Sequence, residues 1–164
     1  MDKVTKSALR YALIAAALGA GAAQAQQPVD QTWCRSGTIS VLAKEEKMIM
    51  WALDHRGVAQ ASDPSDPLNG ATQRCIGVVA VIDGKSSGNG WCKINDPKSS
   101  DWWVVDWTAT DKPGHGTWSY RYGSGKYKGV TGGGTYEPVG QTRPIEPGTY
   151  QNCARVKGTM KLPG

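Results

Sequence analysis

Aromatic and charged residues alternate along two neighbouring segments of this chain, and together they could bind a small molecule. Residues 102–108 read WWVVDWT and residues 117–122 read TWSYRY. In an extended strand successive side chains point to opposite faces. Asp106 on the first segment and Arg121 on the second could therefore meet across two adjacent strands. A charge pair inside an aromatic pocket often orients a ligand and sometimes moves a proton.

We predict that these two strands line a cavity, with the Asp106 face turned inward and Arg121 opposite it. The alternative places both charges in solvent and leaves the Trp and Tyr rings as ordinary core. Seven Trp, six Tyr and no Phe favour binding slightly, because Trp and Tyr combine apolar area with a hydrogen-bonding group. The predicted ligand-binding residues are Trp102, Val104, Asp106, Thr108, Trp118, Tyr120 and Arg121.

Motifs that would specify catalysis or a cofactor are not found in the sequence. There is no G-x-S-x-G elbow, no complete phosphate-binding loop and no dinucleotide fingerprint. The two histidines, His55 and His115, have no metal-ligand spacing, and we expect His115 to be solvated in a turn. We therefore expect no cofactor, no metal site and a binding protein rather than an enzyme.

The cysteines predict a disulfide framework. An even number in an exported chain favours disulfides. Two β-type runs flank Asp83 and Gly84, a favoured two-residue hairpin turn. In that register Cys75 faces Cys92 at a non-hydrogen-bonded position, where Cα atoms lie about 4.5 Å apart. The remaining two cysteines then pair by exclusion, so the predicted bonds are Cys75–Cys92 and Cys34–Cys153.

The first 25 residues have the three-part pattern of a secretory signal peptide. Lys3, Lys6 and Arg10 precede an apolar run at 11–23, and a small-residue cleavage site ends at Ala25. The run is shorter than the ~20 residues that span a bilayer, so we expect cleavage, a secreted or periplasmic protein and no membrane span in the mature chain. Cleavage lowers the net charge from +5 to about +3, too weak a bias to indicate nucleic-acid binding.

After the leader the chain alternates short β-type runs with turn clusters rich in Gly, Pro, Asp and Asn. About eight strands result, at spacings that suit an antiparallel barrel or sandwich. Residues 40–55 fit either a strand–turn–strand unit or a helical stripe. We predict an all-β fold, a single antiparallel eight-stranded barrel with two disulfides over residues 33–162.

One glycine-rich segment carries a family resemblance. Residues 123–136 read GSGKYKGVTGGGTY, which resembles the glycine-rich hairpin of the allene-oxide-cyclase and dirigent barrels, especially those of secreted bacterial relatives. The resemblance implies an eight-stranded calycin-type barrel with a central cavity, in which Tyr127 can cover one end. Plant members of the family control cyclisation or radical coupling of small hydrophobic molecules.

These observations favour an exported barrel that binds a small hydrophobic or aromatic molecule without covalent chemistry. One alternative is a dirigent- or cyclase-like protein that steers cyclisation or coupling, which as an enzyme would resemble an allene-oxide-cyclase-type isomerase. Another is a structural envelope protein with a filled barrel. The ligand's identity and the oligomeric state cannot be read from the sequence.

Overall fold

The computed structural model describes residues 26–140 and 142–164, which form a closed antiparallel barrel of eight strands. Each strand pairs with the next in sequence, and β8 returns to pair with β1. The predicted fold class is confirmed. The strands are β1 (Gln27–Glu45), β2 (Met48–Ala61), β3 (Thr72–Ile82), β4 (Lys85–Asn95), β5 (Trp102–Ala109), β6 (Gly116–Gly123), β7 (Thr131–Val139) and β8 (Thr149–Lys161).

The N-terminal part of the chain differs from the expected domain bounds. The predicted signal peptide, residues 1–25, lies outside the described residues. β1 begins at Gln27, earlier than the expected domain start at residue 33. Among the residues that the structure describes, no helix is long and apolar enough to cross a membrane.

Residues 40–55, for which the sequence left two alternatives, form strand–turn–strand. β1 runs to Glu45 and β2 starts at Met48, with a register shift in β1 between Val41 and Ala43. Good helix formers lie in this segment, but β2 pairs with β1 on one side and with β3 on the other. Backbone pairing on both sides therefore overrides local helix propensity.

Both predicted disulfides are present, and each joins directly opposed residues of adjacent strands. Cys75 on β3 faces Cys92 on β4, and Cys34 on β1 faces Cys153 on β8. The Cα–Cα distance is 4.0 Å in both bonds. The first bond reinforces a hairpin, whereas the second fastens the seam at which the last strand closes the barrel on the first.

One end of the barrel, which we call the closed end, is covered by the connections that follow β2, β4 and β6. Tyr127, in the 3-10 turn Gly125–Tyr127, is 1% exposed and packs on Trp103 with ring centroids 4.3 Å apart. Its hydroxyl donates to Asp96 Oδ2 at 2.5 Å, and Lys126 Nζ lies 2.7 Å from the same oxygen. The expected role of Tyr127 in covering a barrel end is confirmed.

The charge buried at the closed end is well compensated. Burial alone would raise the pKa of the Asp96 carboxyl, but hydrogen bonds from Lys126, Tyr127 and the Lys98 backbone N–H outweigh it and hold the pKa at about 2. Leu68, from the connection between β2 and β3, is also buried here. The closed end is therefore a rigid floor of hydrogen-bonded and apolar groups.

Candidate functional site

The barrel encloses a cavity of ≈ 250 Å³. Its floor is the closed end, where Val29 and Leu68 line it. At the opposite end, which we call the open end, it reaches the turn between β5 and β6 and is lined by Pro113, Gly114 and His115. Pro113 and Gly114 are exposed, so a ligand would enter past this turn.

Aromatic side chains of β5 and β6 form one wall of the cavity, which we call the aromatic wall. Trp103, Trp107, Trp118 and Tyr120 all line it. The rings of Trp118 and Tyr120 meet edge-to-face with centroids 5.2 Å apart, an arrangement that aromatic pairs prefer. Burial raises the pKa of the Tyr120 hydroxyl above its ordinary value, so this wall is uncharged at neutral pH.

Two glycines make room for the Trp107 indole against β3 and β4. A Cβ atom on Gly77 would lie 2.2 Å from Cζ2 of Trp107, and one on Gly90 would lie 2.5 Å from the same atom. No real Cβ contact is that short, so side chains here would push the indole into the cavity. Glycine at these two positions therefore keeps the space beside the aromatic wall open.

Polar side chains of β8, β1 and β2 form a second wall, which we call the polar wall. Arg35 Nε donates to Asn152 Oδ1 at 2.7 Å, and the guanidinium carbon lies 5.9 Å from the ring centroid of Tyr150. The Tyr150 and His55 ring centroids are 5.6 Å apart. In a closed barrel of eight strands β1 lies opposite β5, so Arg35 lies across the cavity from the aromatic wall. Trp33 and Trp51 also line the cavity from β1 and β2, so the polar groups of this wall are set among apolar ones.

Several buried polar atoms on residues that line the cavity lack a protein partner. Within the part of the chain that the structure describes, the buried side-chain atoms without a hydrogen bond are both ring nitrogens of His55, Nε2 of Gln73 and Nε1 of Trp107. All three residues line the cavity. Buried polar groups in native proteins are normally paired, so the three residues single out this cavity as the candidate functional site.

His55 is held neutral by its surroundings. Burial, together with the smaller effect of the nearby Arg35 charge, lowers the pKa of its imidazole to about 3, and the Asp54 charge opposes this shift. At neutral pH the ring therefore offers one N–H donor and one nitrogen acceptor. Burial also raises the pKa of the nearby Tyr136 hydroxyl to about 12, which keeps that group a neutral donor and acceptor as well.

The structure corrects the predicted orientation of β5. Trp118 and Tyr120 line the cavity as expected, but the residues of β5 that do so are Trp103, Val105 and Trp107. The side chains expected to point inward belong to the outer face instead. They are Trp102, Val104, Asp106 and Thr108, and the Arg121 side chain is likewise 55% exposed.

The expected Asp106–Arg121 pair does form, but outside the barrel. Two guanidinium nitrogens of Arg121 donate to Asp106 Oδ2, and Ser119 Oγ donates to Asp106 Oδ1 at 2.5 Å. The outward orientation keeps both charges partly hydrated and avoids the desolvation cost of a buried pair. It also turns two of the three Trp side chains of the strand, Trp103 and Trp107, toward the barrel interior, where burial of apolar surface is favourable.

The polar wall was missed by sequence reasoning. Arg35, Asn152 and Tyr150 come from the first and last strands, and only barrel closure brings them together. A period-2 signal does exist in β1, because Val29, Gln31, Trp33 and Arg35 share one face and all line the cavity. His55 was noted, but its spacing to other residues identifies no chemistry on its own.

No family model matches this chain, and no curated protein matches it. The fold is similar to that of a solved structure, the pterocarpan synthase dirigent protein, with a TM-score of 0.51. The alignment covers 85% of this chain and 97% of that chain, with 7% sequence identity. At that identity the likeness concerns the fold, so the comparison shows that this chain forms a dirigent-like β-barrel.

Proposed function

We propose that this protein binds a small apolar or aromatic molecule in its barrel and holds it in one conformation, so steering the reaction of that molecule as a dirigent-like protein. The solved barrel with the similar fold is named as a pterocarpan synthase dirigent protein, which supports this reading. In such a mechanism shape and proximity lower the barrier, and the protein supplies no covalent chemistry.

The observation that carries the proposal is the set of unpaired polar atoms on His55, Gln73 and Trp107 around a largely apolar cavity. Leaving a buried donor or acceptor unpaired costs about 1–3 kcal/mol. A bound molecule with a few polar groups would recover part of that cost while its apolar body contacts the aromatic wall. The ≈ 250 Å³ cavity also argues against the alternative of a structural barrel filled by its own side chains.

A second candidate function is binding without any steered reaction. Among the residues that the structure describes, no Asp or Glu lines the cavity to form an acid–base pair with the neutral His55. Chiral chromatography of the compound recovered after incubation with the purified protein distinguishes the two functions. A carrier returns its bound compound unchanged after incubation, whereas a steering protein alters which product isomer accumulates.

Export remains part of the proposal. Two disulfides are typical of proteins that fold in an oxidising compartment, and both bonds are built into opposed strand positions. We therefore infer a secreted or periplasmic protein.

Binding can be tested with N-phenyl-1-naphthylamine, an uncharged dye whose fluorescence rises in apolar surroundings. Val79 lines the cavity, whereas the neighbouring Val78 lies on the outer face and is 42% exposed. We expect Val79→Trp to weaken dye binding by at least about tenfold, because the indole occupies the cavity. Val78→Trp is the matched control and should bind like wild type. Equal binding by both variants would place the dye outside the barrel.

A further inference from the structure

We propose that the molecule bound in this barrel carries a carboxylate, which Arg35 recognises, in addition to an aromatic or apolar body. This inference rests on the proposed function and specifies its ligand class. It starts from an uncompensated charge. Among residues 26–140 and 142–164, Arg35 is the one Arg or Lys that lines the cavity, and no Asp or Glu of these residues lines it.

The ion pairs of the described residues lie elsewhere. Three other arginines bind carboxylates on the outer surface, Arg74 with Asp54, Arg121 with Asp106 and Arg155 with Asp30. Arg35 instead donates through Nε to a neutral amide oxygen, that of Asn152. Within residues 26–140 and 142–164 its terminal nitrogens have no carboxylate within ion-pair distance. A partly buried cation without a counter-ion is unfavourable, which suggests that the ligand supplies one.

The geometry around Arg35 suits a planar anion. Its Nε–H is fixed by Asn152, and its guanidinium lies beside the Tyr150 ring. This leaves the terminal N–H groups as a fork that matches the two oxygens of a carboxylate. Neutral His55, next to Tyr150, can donate one further N–H, since neither of its ring nitrogens has a protein partner.

The opposite wall fixes the other part of the ligand. β5 and β6, which carry the aromatic wall, lie across the barrel from β1. A molecule with its carboxylate on Arg35 would therefore place its body against Trp107 and Trp118. The structure thus favours an aromatic carboxylate over a neutral aromatic of the same size.

Isothermal titration calorimetry with 2-naphthoate and 2-naphthylmethanol tests this directly, since the two compounds share one ring system and differ in charge. We expect wild type to bind 2-naphthoate about 10- to 100-fold more tightly than 2-naphthylmethanol, because hydrogen bonds to a charged group contribute an affinity gain of this size. Arg35→Met should remove that preference, so that the variant binds the two compounds with affinities within about threefold of each other. Arg35→Lys, which keeps the charge without the fork, should retain part of the preference.

Arg74→Met is the matched control, because Arg74 lies on the outer surface in an ion pair with Asp54, and it should bind both compounds like wild type. If wild type binds both compounds equally, or if Arg35→Met keeps the preference, the carboxylate inference is wrong and the proposed function stands. If wild type binds neither compound, both are overturned. A circular dichroism spectrum like that of wild type shows that Arg35→Met is folded.

Discussion

At the scale of single residues, His55 is the most unusual group in this protein. It is 2% exposed, and neither of its ring nitrogens has a hydrogen-bond partner in the described part of the chain. Burial and the Arg35 charge lower its pKa to about 3. A buried imidazole with two unpaired nitrogens lowers the stability of the folded protein.

The lowered pKa of His55 predicts a specific pH dependence of stability. The unfolded state binds a proton near pH 6.5 and the folded state only near pH 3, so stability falls as the pH drops through this window. Between pH 7.0 and pH 5.5, the free energy of unfolding measured with urea should fall by about 1 kcal/mol more for wild type than for His55→Phe. All other titratable groups are common to both proteins, so their contributions cancel in the comparison. An identical loss in both proteins would mean that His55 is not buried in its neutral form.

Residue-level chemistry was only partly predictable from the sequence. Trp118 and Tyr120 were identified as cavity residues because large aromatic side chains share one face of a strand. The face of β5 was assigned wrongly, because both of its faces carry large residues and its pattern alone does not say which one is buried. Arg35 and Asn152 could not be connected, since they lie on strands that meet only when the barrel closes.

At the scale of elements, the hairpin register was predictable and the barrel seam was not. Asp83 and Gly84 form the turn with positive φ angles of 50° and 78°, as a type I′ hairpin requires. That turn fixes which residues of β3 and β4 face each other, including Cys75 and Cys92. The Cys34–Cys153 bond followed only by exclusion, because no local signal sets the register between β1 and β8.

The two disulfides should differ in their contribution to stability. They close loops with sequence separations of 119 residues, for Cys34–Cys153, and 17 residues, for Cys75–Cys92. In the loop-entropy model the longer loop is worth somewhat under 5 kcal/mol and the shorter about 3 kcal/mol.

Chemical denaturation of the two paired variants checks this difference. The double variant Cys34→Ala with Cys153→Ala should lower the free energy of unfolding more than the double variant Cys75→Ala with Cys92→Ala. Because Cys75 and Cys92 are buried, part of the loss in the second variant comes from lost packing, and Val105→Ala measures the size of such a packing loss. Val105 is also buried in the barrel interior. A smaller loss for the seam bond would show that the unfolded chain already keeps its ends together.

At the scale of the whole molecule, the barrel has a floor, a mouth and two unlike walls. The closed end is fixed by Tyr127, Asp96 and Lys126, whereas the open end presents the exposed turn that contains Pro113 and Gly114. The aromatic wall on β5 and β6 lies opposite the polar wall on β8, β1 and β2. A molecule with an apolar part and a polar group would therefore bind in one orientation, with its apolar part on the aromatic wall.

The most direct test of the account is a crystal structure of the protein soaked with 6-bromo-2-naphthylmethanol, with the bromine located by its anomalous scattering. We expect the bromine inside the barrel, within contact of Trp107 or Trp118 on the aromatic wall, and the hydroxyl directed toward the polar wall. Bromine found only on the outer surface, with the cavity unoccupied at saturating compound, would contradict the claim that the barrel is a binding site.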